Sequence, residues 1–219
     1  SRCLAPGLGR VLSVVGRSLH AQPGSSSVLD GRNCAGTPST IQCLLMRLRP
    51  TRCPVWVFGL APVRAAVAVK SRVADVPDAV AFYPWMTVRD TLNYFASFRA
   101  HWNQQTERAL VDQFRLDPRQ KTSPLSKGQR TQLALITAVC PEPELLVLDE
   151  PTSGLDPIVR REFIQTVIGA YQDGAPGRRT VFVSTHLIAE FEGLIDQFTI
   201  IERGRDVLTL DADAARDRF

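Results

Sequence analysis

The chain predicts an α/β fold, a parallel-sheet core carrying a helical subdomain, and three stretches predict it. The first is Leu145 to Pro157, which reads LLVLDEPTSGLDP. An unbroken apolar run of this kind marks a strand buried on both faces, as in a parallel sheet. The second is Val181-Phe182-Val183, a similar run that ends in Ser184-Thr185-His186. The third is Thr87 to Phe114, where Leu92, Phe95, Phe98, Leu110 and Phe114 recur at helical spacing. Strands alternating with helices on this scale build right-handed βαβ units.

The elements follow in chain order. Residues 1–55 carry seven Arg, no Lys and one acid, Asp30, and hold four of the five cysteines but no aromatic residue. Two readings of this front stand side by side. An Arg- and Ser-rich, acid-poor start over 1–24 has the composition of a transit peptide. Alternatively, the front belongs to the folded core, for which its length is adequate although its strand patterning is poor. The first residue is Ser, so a fragment of a longer chain is also expected. Val55-Trp56-Val57-Phe58-Gly59 reads as a strand and turn, and Ser71 to Val76 as a strand. Thr87 to Phe114 reads as helical. Pro124-Leu125-Ser126 breaks that pattern, and a helix then runs to about Val139 with Leu133, Ile136 and Cys140 on one face. Leu145 to Leu148 is the buried strand. Asp156-Pro157 reads as an N-cap followed by proline at the first helical position, opening a helix with Phe163, Val167 and Tyr171. Asp173-Gly174-Ala175-Pro176-Gly177 ends that helix before the strand at Thr180. Ile200 to Leu210 reads as a hairpin around Arg203-Gly204.

Bulk properties narrow the function. At 219 residues the chain can bury a substantial core. No run of eighteen apolar residues occurs, so no membrane-spanning helix is expected. Five cysteines without CxxC spacing argue against a disulfide framework. Net charge is +4, of which the first 55 residues supply +6 and the remainder −2. The positive charge belongs to the front, so no nucleic-acid partner is expected for the folded body.

In open parallel sheets the chemistry sits at the carboxyl ends of strands, where Asp149 and Glu150 fall. Side chains alternate along a strand, so the two carboxylates point in different directions. One can hold a metal while the other reaches a water. An acidic pair after a strand can also simply cap the next turn. Likewise Leu125-Ser126-Lys127-Gly128-Gln129 can be a plain helix cap, and His186 a polar surface residue.

Taken together, the ordered set LSKGQ, LLVLDEPTSGLDP and STH resembles the nucleotide-binding subunit of ABC transporters, over roughly 56 to 210. There the order is signature loop, Walker B strand, D-loop and switch histidine. The resemblance implies a P-loop NTPase core that binds ATP and Mg²⁺ and hydrolyses ATP to power a transmembrane permease. It implies a peripheral place on the cytoplasmic face of the cell membrane. Residues 1–75 then hold the front of the ATP-binding core, 76–140 the helical subdomain with the signature loop, and 141–219 the Walker B, D-loop and switch-histidine half.

The resemblance also implies roles. Asp149 holds Mg²⁺, Glu150 is the general base and His186 contacts the γ-phosphate. Ser126, Gly128 and Gln129 serve the nucleotide of a second subunit, so two chains sandwich ATP head to tail, with Asp156 at that interface. Lys127 stands where many relatives have Gly. Asp78 stands where the family usually has Gln, and can bind Mg²⁺. Phe82-Tyr83-Pro84-Trp85 resembles the segment that receives the permease. The phosphate loop, GxxxxGK[ST] in the family, falls in register on Gly31-Arg32-Asn33-Cys34-Ala35-Gly36-Thr37-Pro38-Ser39. Gly31, Asn33, Gly36, Thr37 and Ser39 are therefore the nucleotide-binding candidates there. Thr37 replaces the lysine and Pro38 the hydroxyl residue. The preceding strand reads Ser25-Ser26-Ser27-Val28-Leu29-Asp30, which is poor strand patterning. A degenerate subunit, a decayed gene copy and a faulty sequence all leave such a pattern. A non-hydrolysing partner subunit that donates only its signature loop is thus the alternative function. The style of the motifs resembles bacterial exporters of the drug or antibiotic type. Soluble ABC proteins of translation or repair carry tandem domains or a long coiled-coil insertion, and neither fits between Asp78 and Ser126.

Overall fold

The computed structural model describes residues 7–8, 11–12, 26–31, 37–49, 56–60, 65–172, 179–185, 197–202 and 205–211. Two short strands, β1 (Gly7–Leu8) and β2 (Val11–Leu12), pair antiparallel near the start. The main sheet contains β3 (Ser26–Gly31), β4 (Val73–Val76), β5 (Leu145–Asp149), β6 (Thr180–Ser184), β7 (Gln197–Glu202) and β8 (Arg205–Asp211). Its order is β4-β5-β6-β3-β7-β8. Every pairing is parallel except β7 with β8, the expected hairpin, whose turn residues Arg203 and Gly204 lie outside the described residues.

Unalternated apolar runs become strands covered on both faces. Leu146 and Leu148 join one core cluster with Val76, Val181, Val183 and Phe163. Leu145 and Val147 join another with Val73, Phe182 and Ile41. The period-2 alternation of a strand sends neighbours to opposite faces, so the sheet is the middle of three layers. Helices α1 (Thr37–Leu44) and α2 (Ala66–Lys70) contribute Ile41 and Val69 to the second cluster. The first cluster is completed by α3 (Val88–Ser97), α4 (Gln104–Gln113), α5 (Lys127–Val139) and α6 (Pro157–Gln172).

Four expectations are corrected. The Ser-rich segment expected to make a poor strand is a central one, β3, between β6 and β7, with Val28 only 1% exposed. Parallel pairing with a strand on each side holds it where side-chain pattern does not. The expected strand at 55–59 is only an isolated bridge between Val57 and Leu60 around a tight turn. Phe58 and Gly59 both have positive φ, 55° and 72°, as a two-residue hairpin turn requires. The strand expected from Ser71 begins at Val73. Thr87 to Phe114 is two helices, because Asn103 caps a new one, accepting from the Thr106 N–H at 3.0 Å. Among the described residues no helix is long and apolar enough to cross a membrane.

Candidate functional site

The site is built on the carboxyl edge of the parallel strands. Register sets Asp149 beside Ser184, Leu148 beside Val76, and Leu29 beside Ser184. The ends of these strands therefore lie on one edge, with Asp78, Glu150 and Thr185 following β4, β5 and β6, and Gly31 closing β3. Strand parity then sorts faces. Asp75, Asp149 and Ser184 share parity with Val73, Val147 and Phe182, whose cluster includes Ile41 of α1. They form a polar row on the face that α1 covers. Arg47, just past α1, closes the row with an ion pair to Asp75 at 2.8 Å.

The row is short of positive charge. Burial raises the Asp149 carboxyl above its usual range, and the neighbouring Asp78 and Glu150 carboxylates push it further up. A hydrogen bond with Ser184 and the charge of Arg47 oppose the rise. A half-buried carboxylate with two acidic neighbours suits a divalent cation. Among the described residues no three acidic, His or Cys side chains form a cage for a metal. Mg²⁺ takes few protein ligands and keeps much of its water, and a single half-buried carboxylate is compatible with that mode.

Glu150 ends β5 abruptly. Its φ is 44°, and its N–H donates to the Ser184 carbonyl at 2.8 Å. A non-glycine residue in this region carries backbone strain. The turn then closes with the Ser153 N–H donating to the Glu150 carbonyl at 3.1 Å.

Ser126 caps α5 in a reciprocal box. Its hydroxyl accepts from the Gln129 N–H at 3.2 Å, and the Gln129 side-chain oxygen accepts from the Ser126 N–H at 3.0 Å. Ser126 is exposed, and helix geometry leaves the N–H groups of Lys127 and Gly128 without intrahelical partners. Gly128 has a packing role that the sequence did not reveal. A Cβ there would stand 3.3 Å from Val159 Cγ1, so glycine lets α5 and α6 approach closely. Asp156 caps α6 as expected, its Oδ1 accepting from the Ile158 and Val159 N–H groups, each at 3.1 Å.

The front candidates are placed by backbone. Gly31 ends β3, and Thr37 and Ser39 lie in the first turn of α1. A strand ending at Gly31 and a helix starting at Thr37 therefore flank the expected phosphate-loop positions. Asn33, Gly36 and His186 lie outside the described residues. The structure adds Ser184, Asp75 and Arg47 to the site. Ser184 stood in a quoted run; the Arg47–Asp75 pairing had no local signal.

The comparisons agree with this arrangement. The ABC transporter family profile matches residues 15–153, beginning upstream of β3. The chain is 32% identical over 201 residues to the Nod factor export ATP-binding protein I of Burkholderia pseudomallei (strain 1710b), covering 90% of this chain and 65% of that protein. It is 28% identical over 190 residues to a bacitracin transport ATP-binding protein of Bacillus licheniformis, covering 86% and 61%. The chain thus spans just under two thirds of the length of these relatives. Among solved structures, an ATP binding subunit of an ABC transporter superposes with a TM-score of 0.86 at 24% identity, over 99% of this chain and 90% of that one. A dimeric ATP-binding cassette in a post-hydrolysis state with ADP and Pi superposes with a TM-score of 0.79 at 15% identity, over 95% of each chain. These likenesses establish a P-loop NTPase fold of the ABC type. With the profile covering more than half of its length, from ahead of β3 to past β5, the chain belongs to the ABC transporter family.

Proposed function

We propose that this chain is an ATP-binding and ATP-hydrolysing subunit that powers a membrane permease, working as a head-to-tail pair at the cytoplasmic face of the membrane. The observation that carries the reading is the convergence of Asp149, Glu150, Ser184 and the carboxyl end of β3 at Gly31 on one sheet edge. Asp149, with Asp78, would hold Mg²⁺, which when bound neutralises phosphate charge. Gly31 to Ser39, with Asn33, Gly36 and Thr37, would cradle the phosphates of the chain's own nucleotide. Ser126, Gly128 and Gln129 would face the nucleotide of the second chain, with Asp156 alongside. Glu150 would take a proton from water as the water oxygen attacks the γ-phosphorus and the bond to the bridging oxygen breaks, leaving ADP and phosphate. His186 would position that water.

An exposed aromatic surface supports a permease partner. Tyr83 stacks near Trp85 with ring centroids 4.9 Å apart, and Tyr94 meets Phe98 at 5.0 Å. Trp85 and Phe98 are 65% and 70% exposed, more than a solvated face needs. The name of the Nod factor export relative supports an export role, and that of the bacitracin relative supports transport.

Steady-state hydrolysis tests the reading. Glu150→Gln should lower turnover about 10²- to 10⁴-fold, the usual contribution of a general base, while Mg-ATP binding persists. Unchanged turnover overturns the assignment. One observation favours a second reading, a partner subunit that donates only its signature loop. Thr37 and Pro38 open α1 where lysine and a hydroxyl residue are expected. Restoring them by Thr37→Lys with Pro38→Thr should tighten Mg-ATP binding about ten- to a hundredfold in calorimetry, the worth of a charge-assisted hydrogen bond. Under the second reading Ser126→Arg abolishes turnover in a mixture with an intact subunit, and Glu150→Gln does not.

A further inference from the structure

Two positions that depart from the family pattern meet in space. Lys127, where many relatives carry glycine, is the first residue of α5, and its Nζ lies 3.7 Å from Oδ1 of Asp78, where glutamine is usual. The loop after β5 lies against the same lysine. A Cβ added at Gly154 would lie 3.3 Å from the Lys127 Nζ and 3.7 Å from its Cδ. The lysine stem therefore lies along the bare backbone of Gly154, whose φ of +67° also favours glycine. One side chain thus spans three segments: the turn that opens α5, the loop after β4 and the loop after β5.

We infer that Lys127 is a positioning residue. Its charge ties the α5 turn to the Asp78 loop within one chain, before any nucleotide arrives. Three observations carry this. The contact joins opposite charges at positions far apart in sequence. The stem has a floor, Gly154, that a side chain would obstruct. The contact also offsets charge where charge is crowded, because Asp78 and Glu150 both act on the half-buried Asp149. The pair holds the exposed Ser126 turn to the carboxylate edge. Its consequence for catalysis rests on the proposed ATP-hydrolysing function; the contact itself does not.

Hydrogen exchange on the full nucleotide-free chain tests it. The variants are Lys127→Met, which keeps an apolar stem, Asp78→Asn, the double variant, Lys127→Arg, and the charge swap Lys127→Asp with Asp78→Lys. Each single neutral variant should raise amide exchange at 78–82 and 127–130 about two- to fivefold, the size of an exposed ion pair. The double variant should add nothing, and Lys127→Arg and the charge swap should restore protection. At 1 M salt, where the screening length is about 3 Å, the neutral variants should match the parent. Additive effects, a Lys127→Met variant equal to the parent at low salt, or a difference that survives 1 M salt would overturn the inference. A chain that fails to hydrolyse ATP would sink the proposed function and leave this readout intact.

Discussion

Arg115 sits at φ 52°, where glycine is favoured, for a reason visible in its neighbours. It follows the C-cap of α4. Its N–H donates to the Asp112 carbonyl at 3.1 Å, and the Leu116 N–H donates to the Val111 carbonyl at 3.0 Å. This bond pair is a Schellman closure, with Leu116 and Val111 both buried beneath it. Arg115 is exposed, so its left-handed backbone is not imposed by burial of its side chain. Arg115→Gly should therefore stabilise the protein by about 0.5–1 kcal/mol, measured as an upward shift in the urea midpoint. A downward shift would mean that the arginine side chain makes a contact worth more than the strain. Other single residues were readable in advance. Asp156 ahead of Pro157 announced a cap by type and spacing alone. Gly128 did not announce Val159, because its neighbour comes from another helix.

The helical elements show where periodicity misleads. Apolar spacing continues from Leu92 to Phe114, yet the chain leaves α3 at Phe98 and starts α4 after Asn103. Hydrophobic period reports a common face, and two helices packed on one core share that face. What joins α3 to α4 is polar. Glu107 has only 8% of its side chain exposed, pairs with Arg89, and accepts from Trp102 Nε1 at 2.6 Å. Arg89→Ala would leave that buried carboxylate with the indole as its remaining named partner. Such a loss costs about 1–3 kcal/mol, read from urea unfolding. A change below about 0.5 kcal/mol, the range of ordinary surface substitutions, would show that solvent reaches Glu107. In α5 the structure departs from the single apolar face expected: the helix begins at the Ser126 cap, and every residue from Thr131 to Val139 is buried, so Leu133, Ile136 and Cys140 belong to a helix covered on all sides. Burial pushes the Cys140 thiol up to about 12, so it is an inert core residue.

At the scale of the whole molecule, Glu142 links the helices to the sheet. It accepts from Asn103 Nδ2 at 3.0 Å and meets His101 at 3.1 Å and Arg179 at 3.6 Å. These residues belong to the α3–α4 connection and the approach to β6. The Asn103 amide chiefly holds the Glu142 carboxyl below its usual range; burial opposes this, and Arg179 and His101 assist. A depressed carboxyl contributes stability above its unfolded value, about 4.3. That contribution disappears as pH falls through the lower folded value. Glu142→Gln should thus melt below the parent at pH 7, and the gap should close as pH drops from about 5 to 3. A gap of constant size across that range would mean that the charge of Glu142 does not support the junction.

By itself the sequence determined what depends on neighbours along the chain. Unalternated apolar runs specified β5 and β6, cap residues specified the starts of α5 and α6, and the ordered motifs identified the family. Tertiary structure decided what depends on partners distant in the chain. Ser-rich β3 is a central strand because two flanking strands complete its hydrogen bonds. Asp75, Asp149 and Ser184 form one row because strand register aligns them. Lys127 and Asp78, each an anomaly when read alone, become a pair because folding brings the start of α5 to the loop after β4. Local pattern records which groups must be buried or capped; only the packed chain determines which charges meet.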